Sequence, residues 1–336
     1  MSRLSKVAEY YRVAGAVAEI EKGNSSSKYR HIPFYLVDMI KTRLQYRLGA
    51  AEYLKLNVYR LSAHQRKQIV TRHDRDRIVR HYNDATQTER LNNKLTFLTD
   101  YAHFTGRSFL PIQDVAFEEF QKFLLKYKSI IAKHADGGQG IGMKIYNLSD
   151  DNANLEDIYH DIRAHNYDVV EELLVQHPSF AAINKHGFPV IRVLTFLDER
   201  SVVKILATTL TVGQNDDVIN LHRGGIYLNI DSETGRISSV GIDEDDNTYE
   251  HHPLTKQRFV GFQIPMWKAL LQLVIEASII NPDVRYVGWD VGISPTGPVL
   301  IEANVISPGI IAIQHPVITG EQQIGEKFRD ILDGLP

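Results

Sequence analysis

The 336-residue chain contains no cysteine. That excludes disulfides, thiolate metal sites and a cysteine nucleophile, and it suits a reducing, cytoplasmic setting. Long apolar runs are missing too, so no segment reads as a membrane-crossing helix, which needs about 20 apolar residues. There is no G-x-x-x-x-G-K-[ST] phosphate loop and no G-x-S-x-G nucleophile turn. An excess of one charge sign is also lacking. The net charge of −3 argues against polyanion binding by bulk charge, and no nucleic-acid motif is present. What remains, 43% hydrophobic and 24% charged residues, is the composition of a globular protein long enough for two or three subdomains.

The charge is unevenly spread. Lys41 to Arg90 holds twelve Lys and Arg against five Asp and Glu. Such a segment suits an anionic substrate, a membrane surface or nucleic acid, or is a solvated helical face. The opening MSRLSKVAEYYRVAGAVAEIEKG carries charges through its apolar positions, which predicts an amphipathic helix ending at Gly23 rather than a signal peptide. Apolar spacing predicts a second helix over 34–48, with Gly49 as its stop. Ser62 is placed to cap a polar, basic helix running to about residue 83. Residues 1–88 therefore read as a basic helical region.

The most informative stretch is Tyr286 to Pro308, YVGWDVGISPTGPVLIEANVISP. Two apolar runs flank a turn at Ser294–Pro298. Glu302 and Asn304 are two apart, so in a strand they share a face, and a short hairpin can bring Asp290 beside them. Two carboxylates and an amide oxygen suit a hard cation, Mg2+ or Mn2+. Ser129 to Ile145 is the second such stretch. A strand delivers Lys133, a loop with Gly137, Gly138, Gly140 and Gly142 follows, and a strand resumes at Met143. A lysine supplies a point charge for phosphate, and glycines let backbone N–H groups approach phosphate oxygens. Lys94 stands at a predicted helix start. Glu171 and Glu172 sit in a predicted apolar strand over 168–175. Arg192 lies among apolar residues in PVIRVLTF, where it requires a charged partner. Asn220 and Arg223 precede a glycine pair in INLHRGGIY. His251 and His252 read as exposed loop residues rather than ligands, and Trp267–Ile280 reads as an amphipathic helix leading into the hairpin.

The sequence Gly288-Trp289-Asp290, a Gly-Pro turn and then Leu300-Ile301-Glu302-Ala303-Asn304-Val305 resembles the metal-binding end of the ATP-grasp enzymes, in the wording of their sugar-transfer-associated branch. The order of lysine, glycine loop, Glu-Glu strand, arginine strand, N…GG, helix and D…E-x-N extends the resemblance over about residues 90 to 310. It implies an α+β fold whose two subdomains, 89–175 and 176–336, grip ATP behind the helical region. By the same resemblance Lys94, Lys133 and Gly137, Gly138 and Gly140 hold phosphates. Glu171 or Glu172, with the backbone through Leu173 and Leu174, holds adenine. Asp290, Glu302 and Asn304 hold the metal, and Arg192, Asn220 and Arg223 serve the reaction. Where the family carries an acidic ribose partner, this chain has Gln176-His177-Pro178-Ser179. The implied activity joins a carboxylate, small or glycan-linked, to an amine of an amino acid or peptide. It proceeds through an acylphosphate, in capsule or envelope polysaccharide synthesis. A phosphotransferase on the same fold and a non-catalytic nucleotide-binding module are the alternatives.

Overall fold

The computed structural model describes residues 3–22, 28–136, 142–148, 154–184, 187–214, 225–309, 312–319 and 324–336. The chain divides into two compact units, Met1–His81 with Gly309–Pro336, and Tyr82–Pro308.

The first unit is helical. It contains α1 (Arg3–Lys22), α2 (Lys28–Tyr46), α3 (Ala50–Lys55), α4 (Ala63–Lys67) and α5 (Arg72–Tyr82). Val13, Ala14, Val17 and Ala18 form one stripe of α1 and pack with Tyr35 and Met39 of α2 and Tyr53 of α3. Ser62 does cap a helix, accepting from the Gln65 amide in a capping box, but that helix ends at Lys67. The predicted continuous helix to residue 83 is broken because Val70 turns its backbone elsewhere. Its N–H and C=O both bond the Gln314 side chain, each at 2.8 Å. Thr71 then restarts the helix by exchanging hydrogen bonds with Asp74. Gly325 lies against the same break, where a Cβ would stand 2.1 Å from the Gln68 carbonyl oxygen.

The second unit begins with α6 (Ala85–Asn92), α7 (Lys94–Asp100) and α8 (Ala102–Thr105). A four-stranded antiparallel sheet follows, in the order β1-β4-β2-β3. Its strands are β1 (Phe109–Pro111), β2 (Ser129–Lys133), β3 (Met143–Asn147) and β4 (Val169–Glu172). Helices α9 (Phe117–Tyr127) and α10 (Leu155–Ala164) share its core through Phe120, Leu124, Ile158 and Ile162. β4 stops at Glu172 rather than at residue 175. The Leu173 amide still reaches the Ser129 carbonyl at 3.2 Å.

The second sheet has the order β11-β10-β5-β6-β7-β8-β9. Its strands are β5 (Val190–Leu197), β6 (Val203–Gly213), β7 (Gly225–Asn229), β8 (Gly241–Ile242), β9 (Thr248–Tyr249), β10 (Tyr286–Ser294) and β11 (Gly297–Asn304). Helix α11 (Trp267–Ile280) buries Leu270, Val274 and Ala277 in the same core as Val193, Val287 and Trp289. The Trp289 indole N–H donates to Thr195 and Ser278 at 3.0 Å, so its polar atom is satisfied inside. β10 lies between β11 and β5, and every one of its residues is buried. His251 is exposed as expected, but His252 is not. Its Nδ1 accepts from the Leu254 and Thr255 amides, and its Nε2 donates to the Gly213 carbonyl at 2.8 Å. A ring that closes a loop in this way is buried by its own hydrogen bonds.

Candidate functional site

The hairpin of β10 and β11 sets Gly288 opposite Asn304 and Asp290 opposite Glu302. Beyond that pair the register shifts. Val291 faces Leu300, so Ile301 has no opposite residue. This bulge, not a strand end, is the interruption at Asp290. The turn is tighter than Ser294–Pro298, because β11 already begins at Gly297. The Ser294 hydroxyl oxygen accepts from the amides of Thr296 and Gly297, both at 3.2 Å.

On its other side Asp290 faces Arg192 of β5. The two form a bidentate pair, with Arg192 Nε donating to Oδ1 and Nη2 to Oδ2 at 2.9 Å. Asp290 is thus the charged partner that Arg192 requires. Burial works against the Arg192 charge, and the Asp290 carboxylate outweighs it, so the guanidinium pKa is raised. Arg192 Nη1 donates to the Pro308 carbonyl at 3.2 Å. That carbonyl lies so close to β10 that a Cβ at residue 288 would stand 2.5 Å from its oxygen, which explains the glycine of the Gly-Trp-Asp sequence. Asn304 Nδ2 donates to Asp290 Oδ2 at 3.1 Å and to the Gly288 carbonyl at 3.3 Å, leaving its Oδ1 for another partner.

Glu302 and Asn304 line one cleft with Lys94 and Asp136, beside the apolar side chains of Leu91 and Phe97. Asn93 builds the Lys94 corner. Its Oδ1 caps α7 by accepting from Leu95 and Thr96 amides, and its Nδ2 donates to Asp136 at 3.2 Å. The Lys94 amide donates to the Ala135 carbonyl at 3.0 Å, which ties the start of α7 to the segment just after β2. The charges in this cleft are ill matched. Removal from water and the facing Asp290 carboxylate push the Glu302 carboxyl pKa up, against the pull of Arg192 and Lys94. Burial pushes the Lys94 ammonium down; Glu302 opposes this, and Lys133 adds to it.

Lys133 itself is tied down. Its Nζ lies 2.8 Å from Glu171 Oε1, and Glu171 Oε2 accepts from Arg107 Nε. Arg107 also donates from Nη1 to the Leu300 carbonyl at 2.6 Å and from Nη2 to the Ile301 carbonyl at 3.0 Å. It therefore satisfies the carbonyls that the bulge in β11 exposes, one residue before Glu302. Burial would raise the Glu171 carboxyl, but Lys133 and Arg107 win and hold it down at about 2. Arg107 went unnoticed in the sequence, as did Asp136. The logic applied to Arg192 finds it: an arginine leading into the apolar Phe109-Leu110 run needs partners when buried. Gly106 before it has φ 58°, and a Cβ there would meet Val299 Cγ1 at 2.4 Å.

The expected site residues thus fall into three groups. Lys94, Lys133, Asp290, Glu302, Asn304 and Arg192 come together in one connected set of contacts and charges. The Glu171 carboxylate is spent on Lys133 and Arg107, and Glu172 accepts from the Ser108 amide at 3.2 Å while remaining partly exposed. Leu173 and Leu174 follow it in partly buried positions. Gly137, Gly138, Gly140, Asn220 and Arg223 lie outside the described residues.

The sequence pattern of the sugar-transfer associated ATP-grasp family matches residues 73–325. The chain belongs to this family. Its α+β architecture, with two antiparallel sheets that follow N-terminal helices in the chain, is that of an ATP-grasp protein. No functionally curated protein matches it significantly. Among solved structures it is similar to ATP-grasp ligase PsnB complexed with minimal precursor, at 15% identity and TM-score 0.45, over 75% of this chain and 63% of that one. It is also similar to D-alanyl-alanine synthetase A from Vibrio cholerae O1 biovar eltor, at 13% identity and TM-score 0.44, over 73% and 65%. A third is D-cycloserine synthetase DcsG, at 11% identity and TM-score 0.43, over 75% and 73%. The chain thus spans less than two thirds of the length of the first two.

Among the described residues no helix is long and apolar enough to cross a membrane, and no cluster of three or more His, Cys, Asp or Glu side chains is placed to hold an ion. The hairpin offers two carboxylates and an amide. That donor set fits a cation which keeps water and phosphate oxygens in its shell, as Mg2+ does. The raised Glu302 carboxyl fits the same cation, since a positive charge beside it would relieve the repulsion from Asp290.

Proposed function

We propose that the protein is an ATP- and magnesium-dependent ligase that joins a carboxylate to an amine through an acylphosphate. The observation that supports this most is the cleft shared by Lys94, Glu302 and Asn304, with Asp290 facing Glu302 across the hairpin. In this reading Asp290, Glu302 and Asn304 hold magnesium, with manganese as a substitute. The metal would neutralise charge on the phosphate oxygens, which is the main demand of phosphoryl transfer.

Lys94 and Lys133 then draw the phosphates in, and Glu171 sets where the Lys133 ammonium stands. Arg192 spends Nε and Nη2 on Asp290 and Nη1 on the Pro308 carbonyl. Its part is therefore to fix the metal-binding carboxylate, rather than to contact the transferring phosphate directly. The adenine contact passes to the backbone around Leu173 and Leu174 with Glu172, since Glu171 is occupied. Asn220 and Arg223 would orient the acyl group or the phosphate. A substrate carboxylate oxygen attacks the γ-phosphorus, giving acylphosphate and ADP. The amine then attacks the acyl carbon, phosphate leaves, and the nitrogen loses a proton as the amide forms. The family description suits a sugar-linked carboxylate in capsule or envelope polysaccharide synthesis, with an amino acid or peptide as the amine.

A screen of amino acids against candidate carboxylates, read by ADP release and product mass, tests the proposal. Amine-dependent ADP release with an amide product supports it. A phosphorylated product formed without any amine would make the protein a phosphotransferase instead. Mg-ATP binding without turnover across the panel would leave a binding module.

A further inference from the structure

Helix α2 has apolar residues on two opposite sides. Tyr35, Met39 and Thr42 are buried against the rest of the first unit. Phe34, Val37, Ile40 and Leu44 recur every three or four residues on the other side and are 66%, 51%, 51% and 79% exposed. A helix side that faces water is ordinarily polar, and a contiguous exposed apolar stripe marks an interaction site. The exposed charges on the helix and at its end are of one sign. Arg30, Lys41, Arg43 and Arg47 are exposed, and at about 100° per residue Lys41 and Arg43 fall on opposite sides of it. The one acid of the helix, Asp38, is engaged on the inner side. It takes two hydrogen bonds from Arg66, at 2.7 and 2.9 Å, and one from the Tyr53 hydroxyl at 2.5 Å.

We propose that this outer side of α2 docks on an anionic lipid surface. Phe34, Val37, Ile40 and Leu44 would enter the boundary between headgroups and acyl chains, and the flanking cations would meet lipid phosphates. The arrangement of apolar stripe, cationic borders and no exposed acid on the helix itself matches an in-plane interfacial helix. Docking here would hold the first unit at a membrane surface without any spanning segment, and it is independent of the ligase reading.

Co-sedimentation of the full chain with vesicles tests this. Phosphatidylcholine vesicles containing about 30% phosphatidylglycerol should carry the protein down, with binding weakened by salt, while pure phosphatidylcholine should not. Phe34→Glu with Leu44→Glu should reduce that binding at least about tenfold, with the helical circular dichroism unchanged because both side chains are exposed. Lys41→Gln with Arg43→Gln should reduce it about tenfold as well. No sedimentation with anionic vesicles, or equal sedimentation with neutral ones, would overturn the proposal. So would a dimer in analytical ultracentrifugation that Leu44→Glu converts to monomer, since the stripe would then be a contact between copies.

Discussion

Two charge clusters sit close together in the second unit, and they are built on opposite principles. Around Glu171 the charges are closed on themselves. One buried carboxylate meets Lys133 and Arg107, and the arginine's remaining donors end on backbone carbonyls. The carboxyl pKa is held low, which means the cluster is satisfied as it stands. Around Glu302 the charges are open. Two carboxylates face each other across a strand pair, and the one arginine stands on the far side of Asp290 from Glu302. A cluster closed on itself holds structure; a pair of facing carboxylates is what the proposed metal site requires. Arg107 connects the two, because it grips Glu171 with one nitrogen and the bulge beside Glu302 with the others.

The sharpest test of this contrast is Glu302→Gln. It should lower ATP turnover at least about a thousandfold, measured as ADP release, while the thermal midpoint stays level, since the lost charge was disfavoured in the fold. A similar drop in stability would place Glu302 among the structural charges. Arg107→Met should do the reverse first. It leaves Glu171 with half its countercharge and the bulge carbonyls bare, and denaturant unfolding should show a loss of about 3–5 kcal/mol.

The pH dependence of stability separates the clusters a third way. Glu171 has a folded pKa of about 2, below the ordinary carboxylate value of 4.5. Its contribution is therefore complete above the unfolded pKa and is lost as the pH falls through the folded one. From pH 5 to pH 2 the wild type should lose about 3 kcal/mol more than Glu171→Gln, read from unfolding curves at each pH. Equal slopes in the two proteins would mean the cluster is not closed. The smallest effect is expected for Lys94→Met, with about a tenfold to hundredfold fall in kcat/KM for ATP, read from initial rates, and unchanged stability.

Much of this was legible along the chain because it depends on neighbours in sequence. Glu302 and Asn304 share a face because strand side chains alternate, and Ser62 caps α4 because its hydroxyl reaches an amide three residues on. The order of lysine, glutamate strand, arginine strand and D…E-x-N carried the family. What escaped was set by contacts far apart in sequence. The helix over 62–83 breaks because Gln314, 244 positions away, takes the Val70 backbone. His252 is buried because Gly213 accepts its ring N–H. Arg107 reads as an ordinary polar residue ahead of a short strand until Glu171 and the carbonyls of Leu300 and Ile301 are placed around it.

By itself, then, the sequence determined the residue types of the site, their spacing and the alternation that points them, because these follow from covalent geometry and local hydrogen bonding. Only the tertiary structure decided which charges are satisfied. Whether the Glu171 or Glu302 carboxyl is held down or pushed up depends on burial and on partners brought from other strands, and a pKa is a property of that surrounding rather than of the side chain alone.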